Sequence, residues 1–230
     1  MSKGNLAIIP ARGGSKRIPR KNLRDFLGRP VISYAIENAI KTGLFEEIIV
    51  STDDSEIAAV AQDYGARVPF FRSAETSGDM ATTAEVLLEV LEKYRESGTE
   101  FIHACCIYPT AVFASPGLLK RAYGMMATAN ANSIFSLVQY AHPIWRAYRL
   151  KDEVAGMIWP ANKYTRTQDM EITYHDAGQF YWFKIDSFLK THDLTDSTSG
   201  AIVLNENEVQ DIDTETDWKV AEMKYKLLNG

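Results

Sequence analysis

Residues 7–22 read Ala7-Ile8-Ile9-Pro10-Ala11-Arg12-Gly13-Gly14-Ser15-Lys16-Arg17-Ile18-Pro19-Arg20-Lys21-Asn22. The apolar run from Leu6 to Ile9 predicts a buried strand, and Pro10, with no N–H to give to a ladder, marks its end. Gly13 and Gly14 let the backbone turn sharply and approach a ligand closely. Arg12, Lys16, Arg17, Arg20 and Lys21 crowd around them, and their charges face one another unless an anion lies between. A basic loop after a strand is where an open α/β sheet takes its ligand, and a polyphosphate is the simplest occupant. The alternative is a solvent-facing charged turn. Neither G-x-x-x-x-G-K-[ST] nor G-x-G-x-x-G is present, so a phosphate loop here has another geometry.

Working outward, Pro30 can open a helix whose Ile32, Ala35, Ile36, Ala39 and Ile40 form one apolar face, with Gly43 at its C-cap. Glu47–Ser51 reads as the second strand. Asp53 with Glu56 then resembles a capping box for a helix to Tyr64, stopped by Gly65. Arg67–Phe71 reads as a short third strand and Phe101–Tyr108 as the central one, nearly continuous in apolar residues. Thr82 and Glu85 cap the helix between them, and Ser115-Pro116 starts another. Ser133–Val138, Gln179–Ile185 and Ile202–Leu204 are further strands, and Thr214 with Asp217 caps a last helix. This alternation predicts an α/β fold, doubly wound, with a mainly parallel sheet carrying helices on both faces, in one domain over residues 1–230. The regularity breaks between about 140 and 180. Trp145, Arg146, Tyr148, Arg149, Trp159, Tyr164 and Arg166 there predict an irregular extension with the composition of an interface.

With 46% hydrophobic and 24% charged residues among 230, the chain is long enough to bury one large core. A net charge of −5 argues against nucleic-acid binding. No run approaches the roughly 20 apolar residues of a membrane span, and Pro10 interrupts any signal-peptide pattern. The two cysteines, Cys105 and Cys106, are adjacent in an apolar run. They and His103 read as core residues of a reduced, cytoplasmic protein, since no Cys/His spacing resembles a zinc site.

Asp211-Ile212-Asp213 is the second constellation. At strand spacing both carboxylates face one side while Ile212 packs into the opposite layer. Two such carboxylates suit a hard divalent ion, and Mg²⁺ commonly joins one or two of them to substrate phosphates. Alternatively, Asp213 or Thr214 caps the following helix and Asp211 sits in a turn.

Residues 8–22, together with STDDSEIA, FRSAE, YPTA and QDIDTETDW further along, resemble the CMP-sugar synthetases, cytidylyltransferases for sialic-acid-type nine-carbon sugars. IYPTAVF and YHDAGQFYWF are most similar to the subgroup acting on pseudaminic acid. The resemblance implies a nucleotide-diphospho-sugar transferase-like fold, CTP and a nine-carbon acidic sugar as substrates, Mg²⁺, and a homodimer formed through the extension. It places nucleotide contacts at Ala11, Arg12, Gly13, Gly14, Ser15, Lys16, Asn22, Arg72 and, through a hydroxyl near the cytidine, Thr82 or Thr83. It also places a metal-binding pair at Asp211 and Asp213. Read from the residues alone, Thr82 is explained as a helix cap and Arg72 as an ion-pair partner of Glu75.

In this scheme Arg12, Lys16 and Lys21 hold the triphosphate and stabilise departing pyrophosphate, and Asp211 or Asp213 takes the proton of the attacking hydroxyl. The sugar carboxylate needs a cation, for which Arg166, Arg146 and His175 are candidates and Arg166 is preferred; Gln179 stands beside them. Tyr108 replaces the glutamine of L-Q-P-T-S-P in sialic-acid relatives. The aromatic residues Tyr164, Tyr174, Phe180, Tyr181, Trp182 and Phe183 are either stacking surface or core. Rival readings are the same transfer to N-acetylneuraminate or legionaminate, a glycosyltransferase using D-x-D, and a non-catalytic nucleotide sensor.

Overall fold

A computed structural model of the protein describes residues 3–229. β1 (Lys3–Pro10) is the strand the sequence predicts, with Leu6 to Ile9 fully buried. From Leu6 to Ile9 it is apolar because it lies between two neighbours and beneath helices on both faces. Ala7 and Ile9 join the core under α1 (Val31–Thr42), α2 (Ser55–Asp63) and α4 (Pro116–Thr128), whereas Leu6 and Ile8 join the core under α3 (Thr83–Glu96) and α5 (Ile185–Thr191).

With β2 (Phe45–Ser51), β3 (Phe101–Ile107), β4 (Ser133–Gln139), β7 (Tyr174–Lys184) and β8 (Gly200–Leu204), β1 forms a six-stranded sheet in the order β8-β4-β7-β3-β1-β2. All its strands are parallel except β7, which runs antiparallel between β3 and β4. The mainly parallel α/β architecture is therefore present. β7 begins at Tyr174, five residues before the predicted strand. Cys105 and Cys106 are free and fully buried on opposite faces of β3.

Three local expectations change. Residues 67–71 form only a single bridge, Arg67 to Ile49, because Pro69 has no N–H with which to extend a ladder. The N-cap of α2 is Asp54, whose carboxylate accepts from the Glu56 and Ile57 amides; Asp53 turns instead to the Gly13 amide at 2.8 Å. Asp211 to Asp213 belongs to no strand; the α6 (Glu215–Asn229) cap, by contrast, is made by Thr214 and Asp217 as expected.

The segment between β4 and β7 carries a hairpin of β5 (Tyr148–Lys151) and β6 (Val154–Met157) with short 3₁₀ turns around it. Its Tyr148, Leu150 and Val154 are 63%, 72% and 71% exposed, so the hairpin has no core of its own. None of the helices among the described residues is long and apolar enough to cross a membrane.

Candidate active site

Parallel strands place Pro10, Ser51 and Tyr108 at one edge of the sheet, and the basic loop leaves β1 there. The loop is fixed by an apolar residue, Ile18, which is buried in a cluster with Phe26, Val112, Phe113, Ile212 and Trp218. Ile212 is the residue between the two aspartates. Burying one such side chain is worth about 1.5–3 kcal/mol, so Ile18 and Ile212 together draw the basic loop and the acidic pair to the same place. The result is a cleft of about 390 Å³, with Arg12, Ser15, Lys16, Arg17, Lys21 and Asn22 along one wall. Thr83, Tyr108, Pro109, Thr110, Asp211 and Asp213 face them.

The cations do not repel one another in the absence of a ligand, because each has a carboxylate. Arg12 Nη1 lies 2.8 Å from Asp79 and also donates to the Gly78 carbonyl, and Lys16 pairs with the other oxygen of Asp79. Arg17 and Lys21 pair with Asp213 at 2.8 and 3.4 Å, and Arg20 pairs with Glu56. Lys21 also donates to the Ile212 carbonyl at 2.7 Å, which pins the loop to the Asp211–Asp213 segment. Asn22 is buried and bonds the Arg12 carbonyl. Asp211 makes no ion pair among the described residues, although the charge of Lys21 acts on it. Loss of hydration between the cleft walls, then repulsion from Asp213, pushes its carboxyl above the ordinary range.

A family model described as cytidylyltransferase matches residues 6–207, which contain the whole basic wall of this cleft. The chain belongs to the cytidylyltransferase family. Over 97% of both chains it is 41% identical to a pseudaminic acid cytidylyltransferase of Campylobacter jejuni. It is 30% identical over 96% of both chains to a CMP-N,N'-diacetyllegionaminic acid synthase of Legionella pneumophila. Among solved structures, a CMP:2-keto-3-deoxy-manno-octonic acid synthetase complexed with CTP superimposes with a TM-score of 0.70 at 17% identity, covering 98% of this chain and all of that one, a likeness of fold.

Other expected site residues of this cytidylyltransferase lie elsewhere. Thr82 spends its hydroxyl in a capping box with Glu85 at the start of α3, and its neighbour Thr83 lines the cleft. Arg72 is buried behind the site, donating to the Ser51 carbonyl at 2.6 Å and the Ser51 hydroxyl at 3.2 Å, and makes no ion pair with Glu75. Ala11 is fully buried and holds the loop through its amide, which donates to the Ser51 carbonyl. Gly14 is open to solvent on its side-chain face, and Gly13 is packed against Asp54.

On the side expected for the sugar, the His175 ring meets that of Tyr140 at a tilt, 4.7 Å between centroids, and lines a second cavity of about 270 Å³ that Asp211 also borders. Gln179 is buried and donates to the Ala177 carbonyl. Arg166 stands exposed at the start of a 3₁₀ turn in the extension, and Arg146 donates to the Thr165 carbonyl; neither borders the cleft of its own chain. Phe180, Trp182 and Phe183 are core, Tyr181 is nearly so, and Tyr164 and Tyr174 are exposed.

Asp79 sits between Arg12 and Lys16, with one carboxylate oxygen on each. Its carboxyl is held below the usual carboxylate range, first by the hydrogen bond from Lys16. An internal carboxylate competes with an incoming triphosphate, so Asp79→Asn is expected to lower the KM for CTP. Exposed ion pairs are weak, and the change should be a factor of about 2–5. A raised KM would instead mean that Asp79 orients the two cations for the phosphates.

Proposed function

We propose that this protein transfers CMP from CTP to the anomeric hydroxyl of pseudaminic acid, a nine-carbon acidic sugar, with release of pyrophosphate. One cleft brings together Arg12, Lys16 and Lys21 with Asp211 and Asp213, and that convergence is what such a transfer requires. The sugar oxygen attacks the α-phosphorus, the bond to the β-phosphate oxygen breaks, and the hydroxyl proton leaves to a base. No covalent protein nucleophile is needed, so the chain positions the reactants and neutralises charge. Arg12 and Lys16 hold the β- and γ-phosphates and stay with the departing pyrophosphate. Lys21, anchored on the Ile212 carbonyl, keeps the α-phosphate close to the aspartates. Asp211, on the wall facing the basic loop, accepts the proton.

Asp211 and Asp213 fit a magnesium ion. They are hard oxygen donors on one wall, and desolvation and their mutual repulsion raise the pKa of the Asp211 carboxyl despite the nearby charge of Lys21. Among the described residues no group of three or more His, Cys, Asp or Glu is placed to hold a metal, which suits an ion completed by substrate phosphates. When bound, the ion would supply charge neutralisation at the phosphates and acidify the attacking hydroxyl.

A coupled pyrophosphate-release assay with CTP and a panel of nonulosonic acids tests the function. Release is expected with pseudaminic acid and weaker release with its isomers. Faster turnover of N-acetylneuraminate or legionaminate would reassign the sugar, and CTP binding without release on any of them would sink the enzymatic reading.

We further infer a homodimer formed through residues 140–180. A two-stranded hairpin is marginal on its own in water, and the exposed Tyr148, Leu150 and Val154 gain burial from a second copy. Light scattering at micromolar protein is expected to give twice the chain mass; a strictly monomeric mass would refute the dimer.

A further inference from the structure

β7 does not keep its ladder with β4 through its middle. Phe135 of β4 pairs with Tyr181 and Leu137 with Asp176, so Ala177, Gly178, Gln179 and Phe180 of β7 stand opposite Ser136 alone. On its other side β7 stays in register with β3, and the Tyr108 amide carries that pairing on to the Gln179 carbonyl at 3.0 Å. The extra residues form a bulge, a device that re-aims groups beside active sites. At its turn Gly178 adopts a φ of +62°, the left-handed region that favours glycine, and its amide donates to Oδ1 of Asp176 at 2.8 Å. What the bulge reaches is Asp211. A Cβ on Gly178 would stand 3.3 Å from Cγ of Asp211 and 3.5 Å from each of its carboxylate oxygens.

Both sides of this contact are held in place. The bulge is fixed by its bonds to Tyr108 and Asp176, and by buried Gln179, whose side-chain amide donates to the Ala177 carbonyl at 3.1 Å and to the Gln210 carbonyl at 3.5 Å. The backbone around Asp211 is fixed from both flanks. Ile212 is fully buried and its carbonyl accepts from Lys21, while Lys224 donates to the Val209 carbonyl and the Gln210 side chain at 2.9 and 3.1 Å. A side chain added at position 178 is therefore absorbed by the Asp211 carboxylate, which borders both the cleft and the second cavity. We propose that Gly178 is a positioning residue for CMP transfer: the β7 bulge is a backstop for Asp211, and the missing Cβ lets the carboxylate stand where it meets the sugar hydroxyl. Gln179, expected to contact the sugar, instead ties the backstop to the segment that carries Asp211. The proposal rests on the cytidylyltransferase reading for the task of Asp211, and on the contact alone for its placement.

Gly178→Ala sets one methyl group against the carboxylate. Making room takes a few tenths of an ångström, and kcat is expected to fall by about 10-fold with the KM for CTP unchanged, because the wall that holds the phosphates is untouched. In an Asp211→Asn background, where the base is already gone, the same change should cost no further rate. Gly178→Asn keeps the left-handed backbone, which asparagine tolerates, and brings the same Cβ, so it should repeat the kcat loss with a smaller drop in melting temperature. An unmodified kcat in both variants would overturn the proposal, as would a Gly178→Ala loss that multiplies in full onto that of Asp211→Asn. If the unmodified protein releases no pyrophosphate with any acidic sugar, the functional reading fails, and thermal melts still decide on the backstop. Gly178→Ala should then cost fewer degrees beside Asp211→Ala, which removes the crowded atoms, than in the unmodified protein; an equal cost in both refutes it.

Discussion

Asp211→Asn is expected to slow CMP transfer by about 10²–10⁴-fold, the range for loss of a positioned general base, and to raise the Mg²⁺ concentration needed for what activity remains. Its melting temperature in the absence of metal should be unchanged or slightly higher. The reason is that ionised Asp211 is uncomfortable in the free protein: it has lost part of its hydration and faces Asp213, with only the nearby charge of Lys21 to compensate. A neutral amide of the same shape relieves that repulsion. Asp213→Asn differs in kind, because it releases Arg17 and Lys21 from their ion pairs, partly exposed contacts worth at most about 1 kcal/mol. Steady-state rates across a Mg²⁺ titration, with thermal melts of the metal-free proteins, separate the two. If Asp211→Asn retained full activity and melted several degrees lower, the aspartate would be structural. Thr214 and Asp217 cap α6, as one alternative reading expected, so the cap alone does not decide the role of Asp211.

What could be read from the sequence follows from the range of the interactions involved. β1, β3 and the caps at Ser115, Thr82 and Thr214–Asp217 depend on residues a few positions apart, and local pattern reveals them. The basic loop and the Asp-x-Asp pair were each legible, but their meeting was not. It depends on Ile18 and Ile212, separated by most of the chain, sharing one apolar cluster. Ile18 reads as an ordinary apolar residue inside a charged run, and its burial was the available signal: a lone isoleucine among five cations needs a partner. Likewise, the sequence suggested mutual repulsion among the cations, while Asp79, Asp213 and Glu56 from three distant segments offset them. Arg72 was missed as a buried support because its partner is the Ser51 carbonyl, and backbone acceptors leave no trace in composition. Phe180, Trp182 and Phe183 could not be divided between core and ligand wall without knowing that β7 is inserted in the middle of the sheet.

The adjacent glycines of the basic loop look interchangeable in the sequence and are not so in the fold. A Cβ on Gly13 would stand 2.8 Å from Oδ2 and 3.0 Å from Cβ of Asp54, whereas one on Gly14 meets nothing within 4 Å. Asp54 cannot give way freely, since its other oxygen holds the Glu56 and Ile57 amides at 2.8 and 3.0 Å as the cap of α2. Nor can Gly13 withdraw without stretching its 2.8 Å bond to Asp53. Gly13→Ala must therefore either break the cap, at about 1–2 kcal/mol, or push the loop outward. Outward movement carries Arg12 and Lys16 away from the cleft, and a misplacement of about 1 Å in a positioning group can cost 100-fold in rate. We expect Gly13→Ala to melt several degrees lower and to lose about 100-fold in kcat/KM for CTP, while Gly14→Ala melts with the unmodified protein. Parallel thermal melts and initial-rate measurements on the two variants check this. Equal melting temperatures for both would mean that the loop adjusts around Asp54, and that the close approach of Gly13 is not what holds Arg12 and Lys16 at the site.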